Sequence, residues 1–243
     1  MQSFFPLLFY KILPQYSGRY ITKIRVFGRD FYVRDLTDLL VIKETFYDKC
    51  YLSLFENIDK PTTLLDLGSF IGDTTIYAGQ FKAVKKIITV EPDPRNIRVL
   101  KLNLDVNRVK GVKLIEGAIS NKTDYSYFNM GNESIASSLH TPKSIKEKIR
   151  VRTISLADIL KMVTTPSIVM KSDCEGAEYD FFTKTSPKLL SKIDKIIFEY
   201  HMSTKKLRYV IRHLEKAGFK TTYKDLILEP NVGMAYANKI DRI

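Results

Sequence analysis

The chain has no tryptophan, only three histidines and only two cysteines among 243 residues. The cysteines, Cys50 and Cys174, are too few for a disulfide framework and are typical of a reducing cytoplasm. No apolar run reaches the roughly 18 residues that span a bilayer. The apolar segment Met1–Leu13 lacks a basic leader and an A-x-A cleavage site, so no signal peptide is predicted. These absences predict a cytoplasmic protein without stable membrane insertion.

The composition is that of an ordinary globular domain, with 44% apolar and 27% charged residues. It excludes a disordered or fibrous chain. The net charge is +12, and more than half of the excess lies in residues 181–243. Such a basic balance is typical either of a solvated lysine-rich surface or of a protein with anionic partners such as RNA.

Hydrophobic patterning predicts the α/β class, with a doubly wound, mostly parallel sheet preceded by a helical and hairpin extension at residues 1–58. Residues 20–34 alternate around Gly28 as in a hairpin, and Asp35–Phe55 has helical spacing. Within residues 59–243, amphipathic stretches separate short apolar runs that suit strands buried on both faces. The runs are Thr63–Leu67, Lys86–Val90, Val112–Ile115, Ser167–Met170 and Lys195–Phe198, followed by a terminal hairpin formed by Phe219–Leu228 and Gly233–Ala237.

Three segments at predicted strand ends indicate a nucleoside-type cofactor. Asp66-Leu67-Gly68 begins a turn that reaches Gly72, where glycine lets the backbone approach a ligand closely. The G-x-x-x-G spacing differs from the dinucleotide fingerprint G-x-G-x-x-G, and the acid beside it suits a cationic ligand. Glu91, at the end of the next strand, suits ribose hydroxyls, and Gly117-Ala118-Ile119 follows the third strand, where an adenine would lie. In this order the three segments favour S-adenosylmethionine.

The same segments resemble the FkbM-type methyltransferases, a branch of the class I S-adenosylmethionine-dependent enzymes. The family's D-x-G-x-x-x-G loop is matched by Asp66–Gly72, its E-P-x-P stretch by Glu91–Pro94 and its K-x-D-x-E-G-x-E segment by Lys171–Glu178. Its paired helical asparagines are matched by Asn103 and Asn107. One departure is Ser69-Phe70, where the family more often has Ala-Asn.

The resemblance implies a Rossmann-like, seven-stranded sheet of order 3-2-1-4-5-7-6. It also implies methyl transfer to a hydroxyl of a small molecule or sugar. The cofactor site predicted from the motifs and the resemblance comprises Asp66, Gly68, Ser69, Phe70, Gly72, Asp73, Thr74, Glu91, Pro92, Gly117, Ala118, Ile119 and Asp173.

Acidic residues near the predicted fourth and fifth strand ends are the candidates for a general base. We select Asp173, Glu175 and His201 as catalytic residues, with Glu178 and Glu199 as further candidates. Carboxylates this close repel, so one has a raised pKa or they share a cation; no resident metal is predicted. Glu178 has a structural alternative, since an acid at a helix N-terminus opposes the helix dipole.

Two alternatives stay open at this stage. One is an RNA methyltransferase that uses Lys143–Arg152 and the basic last quarter, although no D-P-P-Y or N-P-P-Y segment for base methylation is present. The other is a non-catalytic cofactor-binding scaffold. The polar segment Asn129–Thr141 is interpreted as a substrate gate or a solvated hairpin.

Overall fold

A computed structural model describes residues 21–130, 147–226 and 231–240. The apolar N-terminal stretch, most of the predicted gate segment, the first four residues of Lys143–Arg152 and the end of the predicted strand Phe219–Leu228 lie outside these residues. The strands are β1 (Thr22–Val26), β2 (Arg29–Val33), β3 (Thr62–Leu67), β4 (Val84–Glu91), β5 (Val112–Glu116), β6 (Ala118–Ser120), β7 (Asp124–Met130), β8 (Glu147–Ser155), β9 (Ser167–Ser172), β10 (Lys195–His201), β11 (Phe219–Asp225) and β12 (Val232–Lys239).

Seven helices accompany these strands in the described part of the chain. They are α1 (Leu36–Lys43), α2 (Asp73–Ala78), α3 (Pro94–Val106), α4 (Leu156–Leu160), α5 (Glu178–Lys184), α6 (Pro187–Leu190) and α7 (Thr204–Lys216). A π-helical turn, Glu44–Asp48, continues α1, and a 3₁₀ turn spans Leu52–Leu54. No helix among the described residues is long and apolar enough to cross a membrane.

The main sheet has seven strands in the order β5-β4-β3-β9-β10-β12-β11. Counted in chain order within this sheet, the strands lie 3-2-1-4-5-7-6 from the β5 edge. All pairings are parallel except those of β12, which is antiparallel to β10 and β11. The predicted mostly parallel sheet is confirmed. All six residues of β3 are buried, as expected for a central strand covered on both faces.

The N-terminal hairpin and helix pack on one face of this sheet. Phe31, Phe46 and Leu54 share a hydrophobic cluster with Leu64 of β3. Asn103 of α3 links the two parts, because its side chain accepts a hydrogen bond from the Tyr32 amide (2.6 Å) and donates to the carbonyls of Tyr32 and Ile71. The hairpin β1–β2 is confirmed. The domain boundary after residue 58 stays a prediction.

A second, three-stranded sheet has the order β6-β8-β7. Sequence analysis did not anticipate it. Its inner face carries Phe128 and Val151, both buried, whereas Tyr125 and Tyr127 on the alternate positions are exposed. Only one face of this small sheet is apolar, so its strands lack the continuous apolar runs by which the main strands are recognised.

Candidate functional site

A cavity of about 290 Å³ lies at the carboxyl ends of β3, β4, β9 and β10. This edge is where ligands bind in open α/β sheets. Eight predicted cofactor residues line it: Gly68, Phe70, Asp73, Glu91, Pro92, Ala118, Ile119 and Asp173. The predicted catalytic residues Glu175 and His201 line it as well. The other five predicted residues, Asp66, Ser69, Gly72, Thr74 and Gly117, are not part of the lining.

Gly68 allows the ends of β3 and β9 to meet beneath the cavity. Its φ is +71°, and a Cβ at this position would lie 1.7 Å from the carbonyl oxygen of Asp173. The amide of Asp173 in turn donates to the Leu67 carbonyl at 3.0 Å. The glycine is therefore required by a backbone-to-backbone approach as well as by its left-handed conformation.

Asp66 lies below the lining and belongs to a buried ionic group. Its Oδ2 accepts from Thr75 Oγ1 at 2.6 Å, and its Oδ1 makes no hydrogen bond in the described structure but lies 3.8 Å from Lys171 Nζ. Lys171 Nζ also donates to the Gly68 carbonyl and lies 3.7 Å from Asp173 Oδ2. Burial lowers the pKa of Lys171, but the charges of Asp173, Asp66 and Asp73 outweigh it and raise that pKa well above its usual range.

Lys171 was not anticipated as a site residue, although its position in the matched K-x-D-x-E-G-x-E segment was the available signal. It is buried and lines the cavity. Its contacts hold Asp66, Asp173 and the glycine turn together. Sequence alone does not show this, because β3 and β9 are adjacent only in the folded sheet.

Glu91 is buried and held by three protein donors. Its Oε2 accepts from the Phe70 amide at 2.9 Å, and its Oε1 accepts from the Asp93 amide at 3.0 Å and from Asn96 Nδ2 at 3.1 Å. Burial raises its pKa to about 7, against these hydrogen bonds, which lower it. A carboxylate has about four acceptor positions, so one remains for a ligand in the cavity.

The N-terminal extension supplies part of the lining, through residues that sequence reasoning did not name. Val41, Glu44, Thr45 and Tyr51 all border the cavity. Thr45 Oγ1 donates to Asp73 Oδ2 at 2.5 Å, which ties the π-helical turn to the start of α2. These positions were assigned only to a packing helix, because helical periodicity reports burial and not what the buried face contacts.

The predicted catalytic residues converge around His201. Its Nε2 lies 3.6 Å from both Glu175 Oε2 and Glu199 Oε1. Its Nδ1 lies 3.9 Å from Glu178 Oε2 and makes no hydrogen bond among the described residues. Asp173 belongs to the same group, since it, Glu178 and His201 each offer a ligand atom within 4.8 Å of the others.

Glu178 has a structural role in this group. It is fully buried at the first position of α5, where its two oxygens accept from the amides of Cys174 (2.5 Å) and Gly176 (2.9 Å). These bonds hold the turn that carries Glu175, whose φ is +51°. Glu178 therefore positions the turn, a structural role that differs from the predicted opposition to the helix dipole.

Burial raises the pKa of Glu175 and of Glu199 to about 8 each, and the charge of Asp173 adds to both increases. For His201, burial acts in the opposite direction, but the carboxylates of Glu178, Glu175 and Asp173 outweigh it and raise its pKa to about 10. His201 is thus a cation at neutral pH. Burial is the larger cause of the increases at Glu175 and Glu199, and the charge of Asp173 is the second. A protonated His201 has no free lone pair on its ring nitrogens and so cannot act as a base.

These shifts predict a pH-dependent stability in the ligand-free protein. The unfolded state releases the protons of Glu175 and Glu199 near their ordinary pKa of 4.5, but the folded state keeps them up to about 8. Their contribution is complete below pH 4.5 and is lost as the pH rises through 8. We expect the free energy of unfolding, measured with urea, to fall between roughly pH 5 and pH 8.

The matched experiment compares two variants. Glu175→Gln combined with Glu199→Gln should flatten this pH dependence. Asp180→Asn, which removes an exposed carboxylate paired with Lys184 at 2.7 Å, should leave it as in the parent. An unchanged slope in the double variant contradicts the prediction.

The lining as a whole is acidic. Among the described residues, its acidic side chains are Glu44, Asp73, Glu91, Asp173, Glu175 and Glu199, against the two cationic side chains Lys171 and His201. Burial keeps several of these acids partly protonated near neutral pH while the cavity is free, and a nearby positive charge favours their ionised form. The cavity therefore suits a cationic ligand.

No curated protein is significantly similar in sequence. Among solved structures, the chain is similar to a methyltransferase FkbM from Methylobacillus flagellatus KT, with 16% identity, 72% of this chain and 43% of that chain covered, and a TM-score of 0.49. It is also similar to a precorrin-6y C5,15-methyltransferase from Geobacter metallireducens GS-15. The identity is 13%, the alignment covers 86% of this chain and 90% of that chain, and the TM-score is 0.48. A family model described as the methyltransferase FkbM domain matches residues 66–221, more than half of the chain, and the chain therefore belongs to this methyltransferase family.

Proposed function

We propose that the protein binds S-adenosylmethionine in this cavity and methylates a hydroxyl oxygen of a small molecule or sugar. The observation that carries the proposal is the acidic cavity at the carboxyl ends of the central strands, with six acidic side chains against two cationic ones among the described residues. S-adenosylmethionine carries a sulfonium and an ammonium group against one carboxylate, and its positive charges would favour the ionised form of these acids.

The residues present fit this cofactor. The turn at Gly68 brings backbone to the cavity where a Cβ has no room. Glu91 keeps one acceptor position for the ribose hydroxyls. Ala118, Ile119 and Phe128 offer an apolar surface for the adenine. When bound, the cofactor supplies a methyl group activated for displacement by its positively charged sulfur.

Positioning is the main task of the protein in such an in-line displacement. Asp173 directly follows the central strand β9 and lines the cavity, so we assign it to the contact with the methyl donor and the acceptor. Tyr51 and Glu44 of the extension border the same space and would contact the acceptor. The extension lies outside the matched family segment, in keeping with a role in choosing the acceptor.

A hydroxyl acceptor loses its proton as the new bond to carbon forms. We assign this proton to a carboxylate oxygen of Glu175 or Glu199, because a base works best when its pKa lies near the operating pH, and these two have pKa values of about 8. His201, held as a cation 3.6 Å from both, would stabilise whichever carboxylate is ionised.

Titration calorimetry with S-adenosylmethionine tests the cofactor assignment. The parent should bind, and Glu91→Ala should weaken binding by at least about tenfold, since a hydrogen bond to a charged group is worth about 1.5–3 kcal/mol. Glu116→Ala is the matched control. Glu116 on β5 is the neighbour of Glu91 on β4 in the strand register, but its side chain is exposed and outside the lining. Its loss should therefore leave the affinity unchanged.

Two outcomes contradict the assignment: a parent that does not bind the cofactor, or a Glu91→Ala variant that binds as the parent does. For the reaction, hydroxylated small molecules and sugars are screened with a labelled methyl group, and mass spectrometry locates the label. A methyl ether is expected. Label on nitrogen or carbon would contradict the assignment to oxygen.

A further inference from the structure

The outer face of the three-stranded sheet carries paired tyrosines and cations. In the antiparallel pair β7–β8, Tyr125 lies opposite Arg152, and Tyr127 lies opposite Arg150. Lys148 is exposed on the same side of β8. We call these five residues the Tyr–Arg face. The two tyrosines are 58% and 67% exposed, more than the other exposed tyrosines of the described chain, Tyr47, Tyr209 and Tyr223.

Folding does not account for this exposure. The inner face of the same sheet is buried, with Phe128 at 4% and Val151 at 7% exposure, and Phe128 lines the cavity. The sheet therefore makes its hydrophobic contacts with one side only. Aromatic rings that stay in solvent on the other side are available to a partner.

The cations of this face are also available. In the described part of the chain, Lys148, Arg150 and Arg152 form no ion pair, and the neighbouring Asp124 is paired with Lys122 at 3.4 Å. The Arg150 guanidinium lies 4.1 Å from the centre of the Tyr125 ring. The positive charge of Arg150 thus lies next to the Tyr125 ring, so a partner that contacts the ring also contacts the guanidinium.

We infer that the Tyr–Arg face binds a single-stranded nucleic acid. Proteins bind such strands by stacking bases on aromatic rings while basic side chains contact the phosphates. Tyr125 and Tyr127 are two residues apart on a strand, hence roughly 6.8 Å apart. This is about twice the 3.4 Å repeat of stacked bases along a duplex strand, so the face suits an extended strand with separated bases. A duplex, whose bases stack on each other, offers no free ring surface to it.

This inference goes beyond the proposed reaction and does not depend on it. Binding at the Tyr–Arg face needs no methyl donor and holds whichever hydroxyl is methylated. It is also distinct from the basic C-terminal segment, where the exposed cations lie on the helix α7 and one of them, Lys206, lies over the Tyr179 ring at 5.2 Å.

Fluorescence anisotropy with a short labelled single-stranded RNA, without methyl donor and at low salt, tests the inference. The parent should bind. Tyr125→Ala combined with Tyr127→Ala should weaken binding at least about tenfold, whereas the Tyr→Phe pair, which keeps both rings, should stay within about twofold of the parent. Arg150→Gln combined with Arg152→Gln should lower the affinity. The number of phosphate contacts, obtained from the slope of log K against the logarithm of the salt concentration, should fall by about two.

A second pair of charge substitutions, Lys205→Gln with Arg208→Gln on α7, serves as the matched control and should have the smaller effect. All substituted side chains are exposed, so circular dichroism should show parent-like folding. No binding by the parent, equal affinity of the Ala and Phe pairs, or a larger loss in the α7 variant would overturn the inference. Competition by duplex RNA or polyglutamate as effective as by the single strand would overturn it too, because charge alone would then explain binding.

Discussion

Replacing Gly68 with alanine is expected to lower the free energy of unfolding by about 2–5 kcal/mol and to abolish ligand binding in the cavity. The new Cβ would lie 1.7 Å from the Asp173 carbonyl oxygen, and this neighbour is backbone and cannot rotate away. The left-handed conformation adds about 1–2 kcal/mol for any residue with a Cβ, and overpacking typically adds 1–3 kcal/mol. Relief requires β3 and β9 to separate at the cavity floor.

Gly28→Ala is the control for the conformational part of this effect. Gly28 has a similar φ of +74°, but no atom lies within 4 Å of its added Cβ. Its replacement should lower stability by only about 1–2 kcal/mol. Urea unfolding of both variants gives the comparison. Equal losses would mean that the close approach of β3 and β9 does not constrain Gly68.

Lys171→Met is expected to destabilise the protein by about 3–5 kcal/mol, the usual effect of breaking a buried ion pair. The ammonium group lies between Asp66 and Asp173 at 3.8 and 3.7 Å, and the side chains of Lys171 and Asp66 are 5% and 0% exposed. Methionine has similar bulk but leaves the Asp66 carboxylate buried without a countercharge. A second substitution, Asp66→Asn, should restore part of the loss because it removes that charge.

Lys101→Met makes the same substitution at an exposed lysine, so the difference between the two variants measures the effect of burial. Lys101 pairs with Glu116 at 2.6 Å, with both side chains 56% exposed, so Lys101→Met should lower the free energy of unfolding by less than about 1 kcal/mol. Chemical denaturation measures all three variants. If Lys171→Met were no worse than Lys101→Met, the buried ionic group would not contribute to stability.

The main sheet was largely predictable because its strands are continuous apolar runs separated by amphipathic helices. Each of the five predicted central runs falls within an observed strand, from β3 to β10. The sheet β6-β8-β7 was not predictable in this way. Its residues alternate between one buried and one exposed face, and its pairing of β6 with β8 joins segments distant in sequence.

In the candidate site, sequence identified the residues at strand ends, such as Gly68, Glu91 and Asp173, because turn glycines and strand-end acids leave local patterns. It did not identify Glu44 and Tyr51, whose local pattern is that of a packing helix. Which of the predicted residues line the cavity was also undetermined. The carboxylates of Asp66 and Glu178 bind other groups of the protein and not the cavity. These contacts form only when the chain has folded.

The sequence by itself determined the fold class, the family resemblance and the acidic strand ends, because these follow from local periodicity and from motifs within a few residues. Only the tertiary structure decided how the groups act on one another. It brought Lys171 between two aspartates, placed His201 among carboxylates that raise its pKa, and set the tyrosines of β7 opposite the arginines of β8. The reason is physical: charge, burial and stacking depend on distances across the sheet, which are fixed only when strands far apart in the chain pair.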